Sequence, residues 1–172
     1  MIENPALERS WIRYRQSLPS YCQQMEEHYY GTKLMCNMTS NDDLCCGLEC
    51  SVCRIVEKGF DEQKIRTNIP NFQRFGRGFY LAPKSSKCHD YTQGNPDYNY
   101  RALLLCDVSP GNKYPLKRDD RSLDGPPASY HSIHGQAGGS LNYDEVVLPR
   151  ADAILPKFII IYRKEGVHKI AK

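Results

Sequence analysis

"GRGFYLAPKSSKCHDY", residues 76–91, decides how this chain is to be read. Two glycines bracket Arg77, so the backbone turns tightly before it extends. Phe79, Tyr80 and Leu81 then form a short aromatic strand. The polar run that follows reads as loop and closes on a second ring, Tyr91. Tyr80 and Tyr91 together offer two aromatic faces for a planar polar ring. The same residues also suit an ordinary strand and its surface loop, so the remaining sequence has to separate the two.

The chain has 172 residues, of which 40% are hydrophobic and 25% charged, and this suits one soluble domain spanning 1–172. A net charge of +3 permits a nucleic-acid or acidic partner without demanding one. No apolar run reaches eighteen residues, so no membrane span is expected. The opening "MIENPALERSWIRYRQSLP" lacks the basic start and apolar centre of a secretory signal, and an intracellular monomer is expected.

The first element reads as a helix with Asn4 as N-cap and Pro5 in the first turn. Leu7, Trp11, Tyr14 and Leu18 recur at helical steps, and Pro19 ends the pattern. From Tyr29 to Cys53 the text turns irregular, with "NMTSNDD" as loop. "CSVCRIVEKGF" suggests a short helix stopped by Gly59, and residues 61 to 74, with Pro70, read as polar loop. Strands dominate afterwards: "GFYLA", "RALLLCDVS", "YDEVVL" and "KFIIIYR". The stretch "KRDDRSLDGPPASYHSIHGQAGGS" between them reads as loop. The class is α+β, with helices flanking a mainly antiparallel split sheet.

Five of the eight cysteines lie between Cys36 and Cys53. A disulfide framework would spread along a small secreted chain, whereas one dense cluster points to a metal in a reducing compartment. Tetrahedral zinc takes four soft ligands, and Cys50 and Cys53, as C-x-x-C, span one edge from a tight turn. Cys36 supplies a third ligand and one of Cys45 and Cys46 the fourth, with Cys45 preferred. Residues 36–53 are thus expected to form a small zinc-binding loop. Buried thiols or a redox pair are the plainer alternatives.

A second constellation is Tyr80, Tyr91 and Glu145. "GGSLNYDEVVL" puts Glu145 at a strand start just after a flexible turn. An acidic group beside a stacked ring can hold a ribose hydroxyl and steady a developing positive charge. Tyrosines are common in strands, however, and Glu145 alone also suits a solvated face. His131 and His134 sit in the preceding loop, His89 is next to Tyr91, and His168 lies in a basic tail; each reads as structural or solvent-facing. His28, if on a strand, shares a face with Tyr30, but a surface position is expected for it.

The chain resembles the catalytic domain of the poly(ADP-ribose) polymerase-like ADP-ribosyltransferases, with a cysteine-bearing loop similar to that of a zinc-containing subgroup. The similarity runs in order through "NPALERSWIRYRQSL", "YYGTK", "FGRGFYLAPKSSKCHDY", "YHSIHGQAGGSLNYDEVVL" and "FIIIYR". The resemblance implies that NAD+ is the substrate and that Tyr80 and Tyr91 flank its nicotinamide ring. It implies that backbone groups of Gly31 bind the carboxamide, with Tyr30 and Thr32 beside it. Glu145 would hold the nicotinamide ribose and stabilise the oxocarbenium-like transition state, with Lys87 nearby. Tyr30 stands where the family has His, and Cys88 where it has a Ser facing the carboxamide. Glu145, Tyr91 and Tyr30 are the implied catalytic set.

The implied activity is transfer of a single ADP-ribose to a protein or nucleic-acid acceptor, with release of nicotinamide. Two alternatives stay open. One is a weak or inactive transferase-like binding module that meets a partner through its zinc loop. The other is an NAD glycohydrolase that uses the same residues with water as acceptor.

Overall fold

The structure, a computed structural model, describes residues 1–38, 44, 45, 47, 49–65, 74–95 and 99–163. Cys46, most of the "NMTSNDD" loop, the polar run around Pro70 and the tail with His168 lie outside the described residues. Helix α1 (Pro5–Ser17) begins as its sequence requires. The Asn4 side chain accepts from the Leu7 amide at 3.3 Å, and Pro5 occupies the first turn, where no amide partner exists. The other half of the same amide donates to the carbonyls of Val56 and Glu57, at 3.1 and 2.9 Å. Those carbonyls belong to the last turn of helix α2 (Ser51–Lys58), so one asparagine closes the start of one helix and the end of another. Trp11, Tyr14 and Leu18 carry the buried side of α1 into the core.

Two sheets follow. The first is antiparallel and orders β1 (Glu26–Gly31), β5 (Tyr100–Val108) and β9 (Ile154–Arg163), with β5 in the middle. A central strand is covered on both faces, which is why "ALLLCDV" is nearly continuous in apolar residues. The β5–β9 register shifts between Leu105 and Cys106, opposite Pro156. Proline has no amide for the ladder, and a bulge on an edge strand accommodates it.

The second sheet orders β3 (Phe79–Leu81), β8 (Glu145–Leu148), β7 (Ser132–Gly135) and β6 (Lys113–Leu116). Its pairs are antiparallel except β6–β7, which is parallel. A two-residue parallel pair joins β2 (Lys33–Leu34) to β4 (Gln93–Gly94). The two sheets meet at Tyr29 and Ala82, whose backbones exchange hydrogen bonds of 2.8 and 3.1 Å. The α+β split-sheet architecture read from the sequence is therefore the observed one. Among the described residues no helix is long and apolar enough to cross a membrane.

The structure departs from the sequence reading in three local places. β1 (Glu26–Gly31) starts ahead of the text that reads as irregular from Tyr29 and runs into it. Ser85–His89, read as loop, forms a short helix, α3. The expected loop before Glu145 contains β7, which is too short to show an alternating pattern and exists through its pairing with β6 and β8.

Candidate active site

The opening turn is built for close approach. Gly76 has φ +81°, and a Cβ there would sit 2.3 Å from the Leu123 carbonyl oxygen. At Gly78 a Cβ would meet Val147 at 2.5 Å, because the turn lies directly on β8. Tyr80 then pins the turn from which it emerges. Its hydroxyl donates to the Gly76 carbonyl at 2.7 Å and accepts from the Phe75 amide at 3.1 Å. Burial pushes the Tyr80 phenol up to about 12, so it stays protonated at neutral pH.

The turn opens onto a cleft of about 340 Å³ whose walls include Tyr30, Gly31, Thr32, Tyr80, Tyr91 and Glu145. Six of the residues singled out in the sequence thus share one cavity, although they come from β1 and the residue after it, β3, β8 and the turn after α3. Glu145 is buried, 4% exposed, at the first position of β8. Lys87 reaches it from α3 with Nζ 2.9 Å from Oε1, and the same ammonium lies 5.8 Å from the centroid of the Tyr91 ring. Burial works to lower the Lys87 pKa. The hydrogen bond and charge of Glu145 prevail and hold it above the ordinary lysine value. The proton is therefore bound more tightly folded than unfolded. Its contribution to stability is whole at neutral pH and is lost as pH rises through the raised value.

Gly31 is the tightest point. A Cβ there would lie 2.0 Å from the Cys88 carbonyl oxygen and 3.2 Å from the Tyr91 Cβ. β1 can approach the end of α3 this closely only without a side chain. Gly31→Ala is expected to cost about 1–3 kcal/mol by overpacking and to displace Tyr91 with it. Urea denaturation reads the first effect and loss of affinity for a nicotinamide mimic the second. A wild-type unfolding midpoint would show the contact to be slack.

Two residues stand differently from the expectation. The Cys88 thiol is 3% exposed and donates to the Tyr29 carbonyl at 3.0 Å, so it ties α3 to β1 and turns away from the cleft. Burial raises its pKa to about 12. His28 is buried, 6% exposed, with burial lowering its pKa; it does not sit at the surface. Tyr30 lines the cleft with its ring edge-on to Phe60, the centroids 4.9 Å apart. The remaining histidines of the described chain have structural partners. His131 accepts from the Asn112 amide at 3.0 Å, His89 meets Tyr162 at 2.8 Å, and His134 meets Asp144 at 3.3 Å.

The opposite wall was not anticipated. It is made by Ser51, Arg54 and Ile55 of α2 and by Phe60, Asp61 and Lys64 beyond it. The spacing i, i+3, i+4 on the helix after Cys50 was the available signal.

Behind that wall, Cys36, Cys45, Cys50 and Cys53 bring their sulfurs within 4.8 Å of one another. The Cys36–Cys50, Cys36–Cys53 and Cys50–Cys53 separations are 3.7, 3.5 and 3.5 Å. A tetrahedron with Zn–S bonds of about 2.3 Å has edges of about 3.8 Å, so the set fits a four-thiolate ion. The Met35 amide donates to Cys50 Sγ at 3.4 Å, the kind of support a metal thiolate receives. All described cysteines are free of disulfides.

A split, mainly antiparallel sheet thus carries the buried Glu145 in one cleft with Tyr80 and Tyr91. A family model described as "Poly(ADP-ribose) polymerase catalytic domain" matches residues 44–159, and the chain belongs to that family. Protein mono-ADP-ribosyltransferase PARP4 of Homo sapiens is 30% identical over 128 residues, 72% of this chain and 7% of that protein. The protein of the same name from Mus musculus is 27% identical over 106 residues, 59% of this chain and 5% of that protein. The chain thus spans less than a tenth of either relative's length.

Proposed function

We propose that this domain transfers a single ADP-ribose unit from NAD+ to an acceptor and releases nicotinamide. The observation that carries the reading is the buried Glu145 carboxylate, held by Lys87 at 2.9 Å in a cleft that it shares with Tyr91. Breaking the nicotinamide–ribose bond leaves positive charge on the ribose. A carboxylate already fixed in a poorly solvated wall stabilises that charge without having to reorganise. Tyr80 and Tyr91 provide the stacking faces for the ring, and the Gly31 backbone is the partner for its carboxamide. Thr32 and Tyr30 lie on the way to the ribose of the adenosine half. Tyr30 takes the place of the family's His there, with a hydroxyl at longer reach. Cys88 acts from behind, by fixing α3 against β1.

The relatives are named as mono-ADP-ribosyltransferases, which supports single transfer over chain extension. The acceptor is a protein side chain or a nucleic-acid end, and water in its place makes the same site a glycohydrolase. Zinc held by Cys36, Cys45, Cys50 and Cys53 is structural: four thiolates close its coordination and leave no open position for substrate. Such a thiolate set belongs in a reducing, intracellular compartment.

Calorimetry with NAD+ and with a nicotinamide mimic tests the reading. Both should bind, the mimic competing with NAD+. A folded, zinc-loaded protein that binds neither overturns the transferase and leaves the binding module.

A further inference from the structure

We propose that Arg54 is the cation that receives the diphosphate of the dinucleotide, aimed by Asp61 and braced from behind by the four-cysteine metal knot. The assignment rests on the transferase reading above. α2 has two working faces. Cys50, just before it, and Cys53, within it, are each 1% exposed and turn to the knot. Ser51, Arg54 and Ile55, further round the helix, line the cleft.

The contacts group the lining residues. Glu145 and Tyr91, with Lys87, form one group. Tyr30 stacks edge-on with Phe60, which meets Phe79 at 5.1 Å. The next residue, Asp61, places its carboxylate 3.7 Å from Arg54 Nη2. A dinucleotide with its ring beside Tyr91 carries its two negative charges away from Glu145, along this path, and they need a cation.

The other cleft cations are less suited. Lys87 is committed to Glu145. Arg74 donates to the Ser140 carbonyl at 2.9 Å and lies 3.7 Å from Asp119. Lys64 sits on an exposed turn, Glu62–Lys64. Arg54 is half-buried, with a third of its side chain accessible. Its separation from Asp61 exceeds a hydrogen bond, so the carboxylate orients the guanidinium and leaves its donor fork for a ligand. Asp61 is itself steadied by accepting from the Gln63 amide at 3.0 Å.

The metal belongs to the same device. An eight-residue helix does not hold its shape alone. α2 is fixed at its C-terminal end by Asn4 and at its N-terminal end by the two cysteine ligands one turn apart. Release of the ion frees the end that carries Arg54.

The test is calorimetry on the zinc-loaded protein with ADP-ribose and, separately, 3-aminobenzamide as the nicotinamide mimic. Arg54→Ala should weaken ADP-ribose about tenfold or more and leave the mimic unchanged. Arg54→Lys, which keeps the charge and loses the fork, should recover only part. Stripping the metal with a chelator, with circular dichroism confirming a folded chain, should weaken ADP-ribose in the wild type. The same treatment should cost Arg54→Ala much less, since the group being positioned is gone. If chelation unfolds the chain, Cys45→Ser, which keeps both ligands at α2, replaces it. Unchanged ADP-ribose affinity in Arg54→Ala overturns the assignment. So does equal weakening of both ligands, which would mark a structural role, or an equal cost of metal loss in the two proteins. Wild-type protein that binds neither ligand overturns the transferase reading, and this assignment with it.

Discussion

Glu145→Gln is expected to lower turnover by about a hundredfold or more while NAD+ affinity stays close to wild type. The carboxylate and the amide are nearly the same size, and either accepts a hydrogen bond from Lys87, so the ground-state site is preserved. The negative charge matters most once the ribose has become cationic, and an interaction made mainly in the transition state is lost from kcat. Removal of one well-placed electrostatic group has that magnitude. Tyr91→Ala is the control with the opposite signature. On the proposed reading its ring stacks on nicotinamide in ground and transition states alike, so its loss should raise KM and leave kcat less affected. Nicotinamide release from labelled NAD+ measures both. Equal background rates for wild type and Glu145→Gln would remove the enzyme reading.

The second large effect is on stability. Cys50→Ser should remove the zinc and lower the melting temperature by at least about 10 °C. Structural zinc contributes folding free energy directly, and in a domain of this size each kcal/mol moves the midpoint by about 2–4 °C. The described stretch from Met35 to Cys53 has little apolar core of its own beyond Met38, Cys50, Val52 and Cys53, so a bound ion would stand in for packing there. Cys22→Ser is the matched control. Cys22 is also buried, but its thiol only donates to the Pro19 carbonyl at 3.4 Å, a bond that serine can make. Elemental analysis of the purified protein should give about one zinc per chain. Zinc-free protein, or a Cys50→Ser midpoint equal to that of Cys22→Ser, would exclude the structural ion.

Much of the architecture was legible because its signals are local. Asn4 and Pro5 mark a helix start within one turn, and Gly59 marks a helix end in the same way. β5, β8 and β9 announce themselves by apolar, β-branched runs. β1, β6, β7 and α3 were not legible. Each is short or mixed in character, and each exists because a partner distant in sequence completes its hydrogen bonds or covers its apolar side. The residues carried by ordered motifs, Gly31, Tyr80, Tyr91 and Glu145, line one cleft with Lys87 on Glu145, and Cys36, Cys45, Cys50 and Cys53 come together. The α2 wall was missed, because the cysteines drew the reading away from Ser51, Arg54 and Ile55, which line the cleft from the same helix.

By itself, the sequence determined the helix caps, the turn at Gly76–Gly78, the main strands and the cluster of thiols around a C-x-x-C pair. These follow from backbone preferences and spacings that act over a few residues. Only the tertiary structure decided which sulfurs converge, that Lys87 meets Glu145, that Cys88 turns to Tyr29 and that Arg54 faces the same cleft as Tyr91. Such pairings join segments far apart along the chain. Side-chain identity permits them, but the packing of two sheets against α1 and α2 selects them, and no local preference encodes that packing.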